Sequence, residues 1–276
     1  MSTQPHFAPV FPRHAIERCA ASVALAPAVP QKAFEKIANS MEGRLRSQDF
    51  QSQAVSSLAF QVNPDGSVAS IPAPVGGPRV FSLPDQTTTF SVAPDNLVWA
   101  THSYVRWQPF IGAIERYVLP ALAEFLEIVS IAGVRLEYWD RFVWSGTWAD
   151  FDVQKVLRAN CTYLAPEAVR QSRQWHSHSG WFGKEGDLRR LTNVNVDVVD
   201  VTQDPALQGR PSVGIYSSLV DQPNIPDYGR TSASALNEGF VVERLENQHL
   251  ALKDILGDII TDEMASRIEL NARKAP

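Results

Sequence analysis

A chain of 276 residues with 44% hydrophobic and 20% charged side chains has ordinary globular composition and enough apolar material for a sizeable core, as one large domain or two packed halves. Its net charge of −5 excludes a general attraction to nucleic acid or an anionic membrane, so either contact would need a local patch, and no apolar run is long enough to cross a bilayer. Two cysteines, Cys19 and Cys161, sit in no CxxC or Cys/His spacing and read as reduced thiols of a cytoplasmic protein.

Residues 15 to 25 alternate, with Cys19, Ala21, Val23 and Leu25 on one face, which predicts a strand. The same alternation argues against reading Ala20 to Ala28 as the end of a signal peptide. Pro30 opens a helix striped by Phe34, Ile37, Met41 and Leu45. From Leu58 the chain becomes strand-like, with a turn at Asn63-Pro64-Asp65-Gly66, a Pro/Gly-rich crossing at 71 to 78, and strands near 79 to 83, 87 to 93 and 96 to 103. Apolar residues then recur at three- and four-residue intervals from Trp107 to Val129, a helix in which Pro120 should produce a kink.

The strand at 133 to 144 is the most informative segment. Val134, Leu136, Tyr138 and Phe142 fall on one face, and Arg135, Glu137, Trp139 and Arg141 on the other. Asp140 interrupts the apolar face, where a carboxylate needs a partner or a route to water. Beyond it the pattern predicts a helix at 150 to 158, a loop at 171 to 188, strands at 190 to 202 and 211 to 220, a long helix from about Ser234 to Asp258, and a short last helix capped by Thr261. The two halves, 1–130 and 131–276, share the order strand, helix, strands, long helix. The fold class expected is therefore α+β, with two pseudo-repeated halves, each an antiparallel sheet backed by a long helix, packed as one globular unit.

With Pro12 to Leu25 including Glu17, the Leu136-to-Arg141 strand, the Asp197-to-Asp200 strand and the closing helix with its Thr261-Asp262 turn, the chain resembles a sporadically distributed, functionally uncharacterised family of bacterial and archaeal proteins. Leu136, Tyr138 and Arg141 match that family's central strand, while Glu137, Trp139 and Asp140 depart from it. The resemblance implies no catalytic residues; its scattered occurrence implies a phage-defence or toxin–antitoxin setting.

Two constellations carry chemistry of their own. In Trp175-His176-Ser177-His178-Ser179-Gly180-Trp181, alternate histidines on extended chain point the same way, and with Asp187 or Asp140 they would bind a divalent metal, supporting a hydrolase or nuclease. Five of the seven tryptophans lie between Trp139 and Trp181, where Trp175 and Trp181 accompany Arg173; that supply suits an interface or a stacking pocket for a nucleotide or nucleic acid. Six basic residues against three acidic ones between Arg158 and Arg190 read first as a solvated loop. Gly183-Lys184 lacks the other elements of a phosphate loop, and Ser177, Ser179 and Cys161 lack a nucleophile elbow. The expectation is a non-catalytic binding or regulatory protein, recognising a protein partner, a second copy or a small ligand through Arg135, Glu137, Tyr138, Asp140, Arg141, Arg173, Trp175 and Trp181.

Overall fold

The computed structural model describes residues 5–54, 59–62, 68–71, 77–171, 173–202 and 204–270. The turn expected at 63 to 66 and most of the crossing at 71 to 78 lie outside them. In chain order the elements are β1 (Phe7–Pro9), β2 (Ile16–Ala26), α1 (Gln31–Arg46), β3 (Gln51–Ala54), β4 (Ala59–Val62), β5 (Val68–Ile71), β6 (Arg79–Ser82), β7 (Thr88–Ala93) and β8 (Asn96–Thr101). A continuous helical run follows as α2 (Trp107–Ala113), a π-turn (Ile114–Val118) and α3 (Leu119–Leu126). Then come β9 (Ser130–Trp144), β10 (Trp175–Glu185), β11 (Leu188–Asp200), β12 (Pro211–Gln222), α4 (Glu238–Ile259) and α5 (Asp262–Arg267). This is a mixed helix-and-sheet protein rich in antiparallel pairing.

The chain divides into two compact units: residues 1–21, 134–231 and 243–276 form the first, and 22–133 with 232–242 the second. In the second unit, β3, β6, β7 and β8 pair antiparallel in that order, and β7 turns directly into β8 with Ala93 opposite Asn96. The alternation of β7 buries Thr88, Phe90 and Val92. Phe34 and Met41 of α1 and Leu122 and Phe125 of α3 are almost fully buried, and Phe34 meets Phe125 at 6.4 Å between ring centres. Each such side chain contributes about 1.5–3 kcal/mol of apolar burial. Pro120 sits at the start of α3, inside the continuous run, where it has no N–H to donate to the preceding turn. The π-turn just before it takes up the interruption that the sequence reading assigned to a kink.

In the first unit, β10, β11, β12, β9 and the start of β2 lie side by side, and β1 pairs with the end of β9. The pairings from β10 to β9 are antiparallel. One face of this sheet carries Val134, Leu136, Phe142, Val194, Val196, Val198, Val213 and Ile215, all buried. Leu245, Leu252 and Ile259 of α4 are buried in the same unit, and Gln248 of that helix donates to the backbone oxygen of Val134 at 2.9 Å.

Three expectations are corrected here. The segment 171 to 188 is mainly strand β10, because Trp175 and Ser177 are buried while His176 and His178 are exposed, and Gly186 at φ 58° supplies the turn into β11. Residues 150 to 158 form no helix beyond a 3-10 turn at Val153–Lys155, where Asp152 accepts from the Gln154 N–H and Val153 alone anchors the turn inward. The long C-terminal helix starts at Glu238, after a separate 3-10 turn at Ala233–Ala235.

Candidate functional site

Directly paired residues of an antiparallel ladder project to the same side of the sheet. The register therefore lays polar rows across the face of the first unit opposite its apolar side. One row runs His176, Asp197, Gly214, Arg141, and the next runs His178, Asn195, Tyr216, Trp139. Between them on the apolar side runs Ser177, Val196, Ile215, Asp140. A cleft of about 260 Å³ opens on the polar rows, walled by Glu17, Trp139, Arg141, Asn195, Asp197 and Tyr216, with Asp140, Gly214 and Ile215 completing its lining.

Arg141 is held in place on three sides. Its Nε donates to Glu17 Oε1 and Oε2 at 3.1 and 2.9 Å, and Nη1 donates to Ser212 Oγ at 3.1 Å. The Ser212 hydroxyl in turn donates to the backbone oxygen of Val199 at 2.9 Å. The guanidinium lies across Gly214: a Cβ added there would meet Nη1 at 3.5 Å and Cζ and Nη2 at 3.7 Å. The absence of a longer side chain at 214 is what leaves this path open.

The aromatic wall is equally constrained. The Trp139 and Tyr216 rings lie 4.8 Å apart, and the Arg18 guanidinium sits 4.3 Å over the Trp139 ring. Tyr216 Oη donates to Glu137 Oε2 at 2.9 Å and accepts from Arg135. Arg135 also pairs with Glu137 at 2.5 Å, and Arg18 approaches Glu137 at 3.9 Å. Burial, helped by the charge of Glu137, pushes the Tyr216 hydroxyl above its ordinary range, so it remains a neutral donor. Two groups in the cleft are left with bonding capacity. Asn195 Oδ1 is buried with no hydrogen-bond partner, and Asp197 is exposed with no ion pair or hydrogen bond among the described residues.

Asp140 belongs to the other side of the same strand. It is 3% exposed, its Oδ1 has no partner, and burial raises its carboxyl to about 7. Nearby, Tyr138 Oη lies 2.8 Å from His249 Nδ1. Burial, and secondarily Lys253, lowers His249 to about 4. Cys19 is fully buried; burial first, then the charges of Asp140 and Glu137, push its thiol well up, so it is no thiolate nucleophile. Burial likewise raises the Cys161 thiol.

The structure thus gathers Arg135, Glu137 and Arg141 on the polar face, and places Tyr138 and Asp140 behind it. Arg173 is exposed just before β10, and Trp175 is buried with an unpartnered Nε1. Trp181 stacks on Tyr163, 5.4 Å between ring centres. By strand alternation, Trp175 and Trp181 face away from the cleft, so they do not join the arginine face. Trp144 and Trp148 are committed to Asp150 and Asp200 through their indole N–H groups. His176 and His178 do stand on the cleft side, opposite Asp197 and Asn195. The carboxylates proposed to join them as metal ligands do not: Asp140 lies on the opposite face, and Asp187 lies beyond the far end of β10, against Gly229. Among the described residues no group of three or more His, Cys, Asp or Glu side chains is placed to hold a metal ion.

Glu17, Asn195, Asp197, Gly214 and Tyr216 are site residues that sequence reasoning did not select. The alternation Asn193, Val194, Asn195, Val196, Asp197, Val198 carries a polar face in plain view; which strands flank it does not show in the sequence. No protein-family model and no curated protein matches the chain. No helix among the described residues is long and apolar enough to cross a membrane.

Proposed function

We propose that this is a non-catalytic binding protein, and that the polar cleft of the first unit is its recognition site. The observation that carries the reading is a wall of immobilised groups, Arg141 on Glu17 and Trp139 on Tyr216, facing an acceptor, Asn195 Oδ1, that is buried and unpartnered. A buried acceptor without a donor costs about 1–3 kcal/mol, which a bound donor recovers. Fixed walls reduce the entropy lost on binding. Both cysteines are held as thiols, so neither serves as a nucleophile in this reading. The family resemblance adds a proposed defence or toxin-neutralising setting, and the shared element order of the two halves a proposed pseudo-duplication.

The test is equilibrium dialysis of the purified protein against the low-molecular-weight fraction of its own cells, followed by mass spectrometry of what it retains. The wild type should retain a compound that the Gly214→Leu variant, whose side chain displaces the Arg141 guanidinium, does not. Identical retention by both would remove the cleft from the account.

A further inference from the structure

We infer that the ligand of this cleft is an organic cation, an ammonium or guanidinium group on a short carbon chain; this rests on the cleft being the binding site. The charges at its walls do not balance. Glu17 and Arg141 neutralise one another across 2.9 Å, which leaves the Asp197 carboxylate without a counter-charge among the described residues. The hydrogen-bonding balance has the same sense. Asn195 Oδ1 is a buried acceptor without a donor, and the exposed Asp197 carboxylate beside it is an acceptor as well.

An anionic ligand fits poorly on both counts. It would meet the like charge of Asp197 and leave Asn195 Oδ1 unsatisfied. Arg141 is largely committed, Nε to Glu17 and Nη1 to Ser212, and its charge is already neutralised by Glu17. A donor-bearing cation satisfies Asp197 and Asn195 together. The space of about 260 Å³ admits a short chain and is small for a drug-sized ligand, whose pockets run to roughly 300–1,000 Å³.

Such a group reaches the protein either as a free small amine or guanidine or as an arginine side chain of a peptide. Isothermal titration at low ionic strength should therefore use agmatine, N-acetyl-arginine amide and, as the anion, citrate. Agmatine or the blocked arginine should bind at one site per chain. Asp197→Asn, an exposed and isosteric change expected to leave the melting temperature unaltered, should weaken that binding at least tenfold, and Glu167→Gln, an exposed charge in the segment before β10, should leave it unchanged. Tighter agmatine binding assigns the source to a small molecule, and tighter blocked-arginine binding to a peptide; either supports the inference. Absence of saturable binding by both cations overturns it, as does cation binding insensitive to Asp197→Asn. If citrate binds instead and Gly214→Leu abolishes that binding, the cation inference falls and the cleft reading stands. If no probe binds and dialysis retains nothing, both fall.

Discussion

Arg141 donates from one nitrogen to both carboxylate oxygens of Glu17, at 3.1 and 2.9 Å, and this pairing stretches its guanidinium across Gly214. The pair is partly exposed, so its direct contribution to stability is modest, while its contribution to the shape of the cleft is large. Glu17→Gln should lower unfolding stability by only about 1 kcal/mol, read from urea midpoints, yet reduce ligand retention severely. A variant that retained ligand fully would show that the clamp does not shape the site.

Gly214 separates shape from chemistry more finely. A Cβ at that position would make ordinary contact with Arg141 at 3.5 Å, so Gly214→Ala should bind nearly as the wild type does, while Gly214→Leu should lose binding. Both variants should fold, as judged by circular dichroism and a cooperative melt. Equal loss in both would mean that the backbone at 214, and not the space above it, is what the ligand needs.

Behind the cleft, Asp140 and His249 titrate in opposition. Asp140 is raised from 3.8 to about 7. Between those values the folded state holds a proton that the unfolded state has released, so stability falls as pH rises through the window, by about 4 kcal/mol in total. His249 is lowered from 6.5 to about 4. In that window the unfolded state holds the extra proton, and stability rises with pH. The two slopes offset one another in the wild type. Asp140→Asn should expose the His249 slope, with urea midpoints increasing from pH 4 to 6.5 and a gain in stability above pH 7. His249→Gln should expose the opposite slope. Slopes of the same sign in both variants would contradict the assignment.

Arg190 and Asp221 form the most buried ion pair described, with Nε and Nη2 donating to Oδ1 and Oδ2 at 2.7 and 2.8 Å and the Asp221 side chain fully buried. Asp221→Asn leaves a largely buried guanidinium with Glu185 as its remaining carboxylate, at 3.1 Å, and should cost about 3–5 kcal/mol. Replacing both residues, as Arg190→Met with Asp221→Leu, should cost much less. Chemical denaturation of the single and double variants decides it, and equal losses would deny the pair its role.

Much of this fold was legible because burial imposes a period. The stripe of α1 and the alternation of β9 and β11 follow from apolar spacing alone. Strand β10 was not legible: its inward positions include the buried Ser177 and the half-buried Ser179, whose hydroxyls bond Ala165 and Tyr163 and so replace the apolar signal. The departure at Asp140 was visible in sequence, yet its meaning was not. It has no basic partner; it borders the cleft instead, with one carboxylate oxygen buried and unpartnered, and its titration shifts upward. The cleft itself depends on register. Gly214 matters because it falls between Asp197 and Arg141 across three strands, a juxtaposition set by long-range pairing and carried by no local motif.

The most direct test of the cleft as recognition site is a two-dimensional NMR titration of the ¹⁵N-labelled protein with the low-molecular-weight fraction of its own cells, following the side-chain N–H groups of Trp139, Asn195 and Trp181. Binding in the cleft should shift the Trp139 indole and Asn195 amide signals together while Trp181, on the opposite side of β10, stays in place. Shifts confined to Trp181, with Trp139 and Asn195 unmoved, would contradict it.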